Sequence, residues 1–125
     1  MIFGLGTDII EIDRIAAALE RQGEAFLDRV FTEAEQEYCQ SFKQPERHYA
    51  GRFAAKEAIS KALGTGIGHT IAWGEVEILA HESGQPYAVL PNELCDKLAI
   101  TRVHVSISHG KDYATAVAII ETSEQ

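Results

Sequence analysis

No stretch of the chain approaches the roughly 20 consecutive apolar residues that a membrane span requires, so no membrane-spanning segment is expected. Cysteine is scarce: Cys39 and Cys95 stand far apart, with no CxxC pair and no histidine at zinc-ligand spacing. Two free thiols in a reducing compartment follow, not a disulfide framework or a zinc site. Positive charge is also short. A net charge of -8 argues against general nucleic-acid binding. The opening MIFGLGTD has no basic segment ahead of an apolar run, so it reads as a strand and not as a secretory signal. A cytoplasmic location is expected. Repeats, low-complexity tracts and linkers are missing, and 125 residues suit one domain, 1–125, with one core. No Ser–His–Asp order or reactive-cysteine pattern points to a covalent intermediate.

The charge that is present is unevenly placed. Residues 1–41 carry three basic and nine acidic side chains, whereas 42–61 carry five basic and two acidic. Lys43, Arg47, Arg52, Lys56 and Lys61 thus form the one positive island of an acidic chain. Such an island suits an anionic ligand, although a solvated basic helix face accounts for it as readily.

Ile2 to Ile10 reads as a strand, rich in branched residues. Asp13 can cap a helix from about Arg14 to Gln22 that ends near Gly23. Thr32 and Glu35 have capping-box spacing for a helix from Glu33 to about Phe42. Pro45 opens a helix from Glu46 to Leu63, broken by Gly64, Gly66 and Gly68. Strands are predicted over Trp73–Leu79 and Tyr87–Leu90, joined by a hairpin loop at His81–Pro86. A short helix follows over Pro91–Leu98, then a hairpin from about Val103 with its second strand at Ala114–Ile120. Helices gather in the first half and strands in the second. The predicted class is α+β, with a small antiparallel-rich sheet of about five strands and helices packed on one side.

Phe53, Glu57 and Lys61 follow one another at intervals of four and share a helical face. Glu57 lies at the edge of the apolar stripe, and a partly buried carboxylate needs a partner, either Lys61 or a metal ion. Asp8 is a second such carboxylate, in an apolar strand that disfavours it and just after Gly4 and Gly6, which permit close approach. Two carboxylates from separate elements, with no histidine or cysteine beside them, suit magnesium. Gly64-Thr65-Gly66 is rich in backbone donors but closes a helix, where the dipole disfavours anions.

Taken together, Gly6-Thr7-Asp8 with Arg14-Ile15, Phe53-Ala-Ala-Lys56-Glu57-Ala-Ile-Ser-Lys61-Ala-Leu-Gly64, and Val105-Ser106-Ile107-Ser108-His109 resemble three ordered motifs of the 4'-phosphopantetheinyl transferases. Length and spacing are similar to the short bacterial type, the holo-acyl-carrier-protein synthases. The resemblance implies a trimeric, magnesium-dependent enzyme of fatty acid biosynthesis. It would move the phosphopantetheine arm of coenzyme A onto a serine of an acyl carrier protein. It makes Asp8 and Glu57 the magnesium ligands and Lys61 the residue that neutralises the pyrophosphate. Lys56, Gly64, Ser106 and His109 become coenzyme contacts, and Arg14 with Arg21 the carrier-protein docking face. The resemblance departs at Gly84-Gln85-Pro86, where the family often has a basic residue and no charge is available here.

The chain's own composition adds a reason for assembly. Ala114–Ile120 is apolar on both alternating faces apart from Thr115, and such a strand should be covered by other copies. The resemblance makes that assembly a homotrimer with active sites at subunit boundaries. The rival readings are a metal-dependent hydrolase of a nucleotide pyrophosphate such as coenzyme A, and a non-catalytic carrier-protein or coenzyme-binding module.

Overall fold

A computed structural model describes residues 1–64, 66–68 and 71–123. Strand β1 (Ile2–Glu11) leads directly into helix α1 (Ile12–Gln22), followed by α2 (Glu24–Val30), α3 (Glu33–Gln40) and the long α4 (Pro45–Ala62). A 3-10 turn at Trp73–Glu75 precedes β2 (Glu77–Ala80), β3 (Pro86–Val89), α5 (Asn92–Leu98), β4 (Ile100–His109) and β5 (Tyr113–Thr122). The architecture is α+β and the five strands pair antiparallel, in keeping with the antiparallel-rich sheet predicted, with one isolated parallel bridge between Ile67 and Ile71.

Several local expectations need correction. Asp13 lies inside the first turn of α1, and Glu11 occupies the cap position without a side-chain bond. Gly23 does end α1, at φ 56°, but it also starts α2, a helix too short for a clear periodic signature. The capping box of α3 is present, yet that helix stops at Gln40, where the Ser41 hydroxyl donates to the Tyr38 carbonyl at 2.6 Å. Trp73–Glu75 is a turn, not a strand, because the Glu75 carboxylate accepts from the Ala72 N–H at 2.8 Å and closes the chain on itself. The five strands form two sheets, one ordered β1-β5-β4 and one made of β2 and β3. The β2–β3 ladder is only four pairs long, and it packs beside β4 without joining its hydrogen bonds.

The core is set by small residues. Direct pairing in the register places Gly4, Gly6, Asp8 and Ile10 on the same face as Ala114, Ala116, Ala118 and Ile120. Helix α4 lies across that face and meets it with Ala54, Ala55, Ala58 and Ala62, all buried. A Cβ built on Gly4 would stand 1.8 Å from the Ala62 carbonyl oxygen, and one on Gly6 would stand 1.9 Å from that of Ala58. Backbone therefore touches backbone, which only glycine on the strand permits.

On its other side α4 is tied to α3 by a buried pair. Lys56 meets the Glu35 carboxylate at 2.7 Å, and its remaining protons go to the carbonyls of Val30 at 2.8 Å and Trp73 at 2.9 Å. Glu35 also accepts from the N–H groups of Thr32 at 2.8 Å and Ile78 at 2.7 Å. One satisfied network thus joins α3, α4, the 3-10 turn and β2.

Candidate functional site

Two steps along a strand advance about 6.8 Å and four residues of helix about 6 Å, so β1 and α4 can stay in register over several contacts. Gly4 meets Ala62 and Gly6 meets Ala58. The next inward position on β1 is Asp8, and the same progression up α4 brings it to the turn containing Glu57. Glycine contacts lower on the strand therefore set where the two carboxylates meet.

Lys61 closes the group. Its ammonium donates to the Asp8 carboxylate and to the Thr7 carbonyl, each at 3.1 Å. It keeps 51% of its side chain exposed, whereas Asp8 keeps 16%. Of the two partners the sequence left open for Glu57, Lys61 instead pairs across elements with Asp8. Glu57 is half-buried, and its carboxyl pKa is raised, first by burial and then by the charge of Asp8, with Lys61 acting the other way. Two carboxylates and one ammonium leave the cluster short of positive charge. Among the described residues no group of three or more His, Cys, Asp or Glu is gathered. The donor set is thus two hard oxygens, which fits a cation that takes its other ligands from water and phosphate.

A groove of about 370 Å³ opens beside the carboxylates, floored by Ile10, Phe26 and Phe53 and flanked by Arg14 and Arg21. Ile10 is the next inward residue after Asp8, and Phe53 lies one helical turn before Glu57. The groove is thus lined from the same strand and helix that carry the carboxylates. Phe53 is held by stacking on Trp73, with centroids 4.8 Å apart.

The remaining sequence candidates separate. Lys56, expected as a coenzyme contact, is wholly buried and spent on Glu35 and two carbonyls, so that expectation is corrected. Lys56 and Lys61 are five apart, which turns them to different sides of α4. Gly64 sits past the end of α4 at φ 90°, a conformation suited to glycine. Its neighbour Thr65 lies outside the described residues. Ser106 is on the outer face of the sheet, with Ser108, Thr7 and Thr115 around a shallow pocket. His109, at odd parity, is on the inner face at the end of β4.

His109 marks a second pocket, of about 130 Å³, shared with Tyr38, His48, Arg52, Pro86 and Ile107. Sequence reasoning named Arg52 only as one of the five cations of the basic segment and did not single out His48. Arg52 is 5% exposed, its guanidinium lies 4.4 Å over the Tyr38 ring, and its buried Nε has no hydrogen-bond partner among the described residues. The signal was present in the i, i+4, i+8 row His48, Arg52, Lys56, but helical spacing alone does not say which of the three is buried in a pair and which borders a cavity. Strands β1 and β4 flank β5, so within one chain this pocket and the carboxylates lie about 10 Å apart across the sheet, with α4 packed between.

A family model described as "4'-phosphopantetheinyl transferase superfamily" matches residues 4–118. The chain is 51% identical over 120 residues to a holo-(acyl-carrier-protein) synthase of Chlamydia trachomatis serovar D, covering 96% of this chain and 100% of that protein. Its fold is similar to a Bacillus anthracis holo-(acyl-carrier-protein) synthase solved in complex with CoA (3',5'-ADP), at TM-score 0.84 and 38% identity, over 98% of this chain and 99% of that one. It is also similar to a Helicobacter pylori holo-(acyl-carrier-protein) synthase solved in complex with coenzyme A, at TM-score 0.87 and 33% identity, over 94% and 99% of the two chains.

Proposed function

The chain belongs to the 4'-phosphopantetheinyl transferase superfamily, and from that membership we propose how its residues carry the reaction. It transfers the 4'-phosphopantetheine group of coenzyme A to a serine of apo acyl carrier protein and releases adenosine 3',5'-bisphosphate. The observation that carries the assignment of roles is the grouping of Asp8, Glu57 and Lys61, with Lys61 paired to Asp8 and the Glu57 carboxyl feeling both charges. The hydrolase and binding-module alternatives are not favoured, since the relatives are synthases over nearly their full length.

In this reading a serine hydroxyl attacks the coenzyme phosphorus nearer the pantetheine. Such a transfer is mainly a matter of position and charge. Lys61 keeps its ammonium partly free and neutralises charge on the leaving pyrophosphate oxygens. Asp8 and Glu57 would hold magnesium, which when bound would supply Lewis-acid stabilisation of that same charge. The serine proton goes to Glu57 or to water at the site. The groove receives the acidic carrier protein, whose carboxylates pair with Arg14 and Arg21.

The same reading includes a homotrimer. What supports it is the split between the carboxylates and the His109 pocket, together with the exposed outer face of the sheet carrying Leu5, Ile9 and Val117. A coenzyme lying across a subunit boundary would join Asp8 and Glu57 of one copy to contacts from the next, Ser106 and His109 among them. A cytoplasmic setting in fatty acid biosynthesis belongs to the same proposal and is consistent with the free thiols of Cys39 and Cys95.

The test is incubation with apo carrier protein, coenzyme A and magnesium. A mass gain of one phosphopantetheine on the carrier supports the reading, and dependence on added magnesium tests the metal. Coenzyme A breakdown without carrier modification would reject it.

A further inference from the structure

The proposed coenzyme contacts give no role to His48, which lines the same pocket as His109. The His48 ring is stacked on Phe42, with centroids 3.6 Å apart and planes 16° from parallel. It also stands edge-on to His109 with centroids 5.5 Å apart. Both imidazoles line the pocket that contains Arg52, whose buried Nε has no partner among the described residues. The charged and titratable groups turned toward His48 are Arg47 and Arg52 from its own helix, Tyr38 from α3 and His109 from β4. The hairpin tip adds only Gly84 and Pro86. None of these is a carboxylate.

A proton on His48 in the free protein would therefore stand among like charges with no counter-ion. Burial, His109, Arg52 and Arg47 all push its pKa below the ordinary histidine value. Only the imidazoles can answer an incoming anion by gaining charge. His109 is exposed at its strand end, whereas His48 is half-buried under Phe42. The proton affinity of His48 is accordingly the more sensitive to what fills the pocket.

We propose that His48 is a binding residue for the phosphate-bearing nucleotide end of coenzyme A, and that it takes a proton from solvent as that end enters. No covalent bond breaks: one proton adds to the imidazole, and the new imidazolium faces the phosphate beside Arg52. The inference rests on the coenzyme reading above and adds a specific residue to it. Coenzyme affinity then rises as pH falls through the neutral range, in proportion to the proton taken up.

The experiment is calorimetric titration of the intact protein with adenosine 3',5'-bisphosphate, and separately with coenzyme A, in buffers of different ionisation enthalpy. Wild type is compared with His48→Phe, which keeps a ring against Phe42, with His48→Gln and with His109→Gln. The phosphate's own second ionisation, near pH 6, contributes equally to all of them, so the difference between proteins is the readout. Between about pH 6 and about pH 8 wild type should lose roughly fivefold more affinity than either His48 variant, and near neutral pH it should take up more protons on binding. Equal proton uptake and parallel pH profiles in wild type and both His48 variants would overturn the proposal, as would a pH dependence removed only by His109→Gln. Failure of wild type to bind coenzyme A at any pH would count instead against the coenzyme reading itself.

Discussion

The three-stranded sheet has two faces made from alternate residues of the same strands, and they are opposites. On the inner face Gly4 and Gly6 bring β1 into backbone contact with α4, and Ala114, Ala116 and Ala118 continue that flat surface across β5. On the outer face the intervening residues include Leu5 and Ile9, each 65% exposed, and Val117. One face has removed side chains so that a helix can touch the strand. The other has kept apolar side chains that stay exposed among the described residues. The contrast teaches that the inner face fixes how β1 and α4 meet, whereas the outer face leaves apolar surface uncovered.

The largest disturbance should come from filling the inner contact. Gly6→Ala would place a carbon 1.9 Å from the Ala58 carbonyl oxygen. The helix would have to lift off the strand and carry Glu57 away from Asp8. Overpacking typically costs about 1–3 kcal/mol, and a backbone obstacle puts this case at or above the upper end. Thermal melting and carrier modification should fall together. A native melting temperature with full activity would refute the clamp.

Comparable in its cost to stability, but without the loss of activity, is Lys56→Met, on the far side of the same helix. Removing one member of a buried pair typically costs about 3–5 kcal/mol, because the other charge is left without compensation. Denaturant unfolding should show that loss, while the protein that does fold keeps its Michaelis constant for coenzyme A. A selective rise in that constant would restore Lys56 as a coenzyme contact.

Glu57→Gln separates chemistry from packing. Turnover should fall about 100-fold or more, as for loss of a group that stabilises transition-state charge. Stability in metal-free buffer should hold or rise slightly. The sign follows from the raised folded-state pKa: the fold prefers the protonated carboxyl, so the penalty of the charge appears as pH rises through the unfolded value and is complete above the folded one. The amide removes it at neutral pH and changes nothing in acid. Near-normal turnover would break the assignment of the inner face as the reacting one.

The outer face is tested by Leu5→Asp with Ile9→Asp. Light scattering should show a shift from trimer toward monomer, and activity should fall with it, since the coenzyme would lose contacts from the neighbouring copy. A wild-type protein that is monomeric and fully active would defeat both the assembly and the shared site. The smallest effect belongs to the groove: Arg14→Glu or Arg21→Glu should raise the Michaelis constant for carrier protein about tenfold at low salt, with little change for coenzyme A. Equal effects on both substrates would remove these arginines from docking.

Much of this contrast was legible beforehand. The capping box of α3, the span of α4 and the long β1 each carry local signals that do not depend on a neighbour. Asp8, Glu57 and Lys61 were legible as misfits, charged groups in or beside apolar runs. Helix α2 and the 3-10 turn were not, because each is too short for periodicity and depends on a few local bonds. The fate of Lys56 was hidden as well. Spacing assigns a side chain to a face of its helix, but Glu35 reaches that face from an element 21 positions away in the chain.

The sequence by itself determined the α+β class, the family motifs and the alternation that separates a glycine-alanine face from an apolar one. Only the tertiary structure decided that Lys61 bridges to Asp8 instead of Glu57, that Lys56 is sealed inside, and that Arg52 and His48 border a pocket with His109. The physical reason is that alternation and helical spacing are properties of one element. Partnership of charges depends instead on which elements meet, and here that was set by backbone contacts at Gly4 and Gly6 that carry no charge at all.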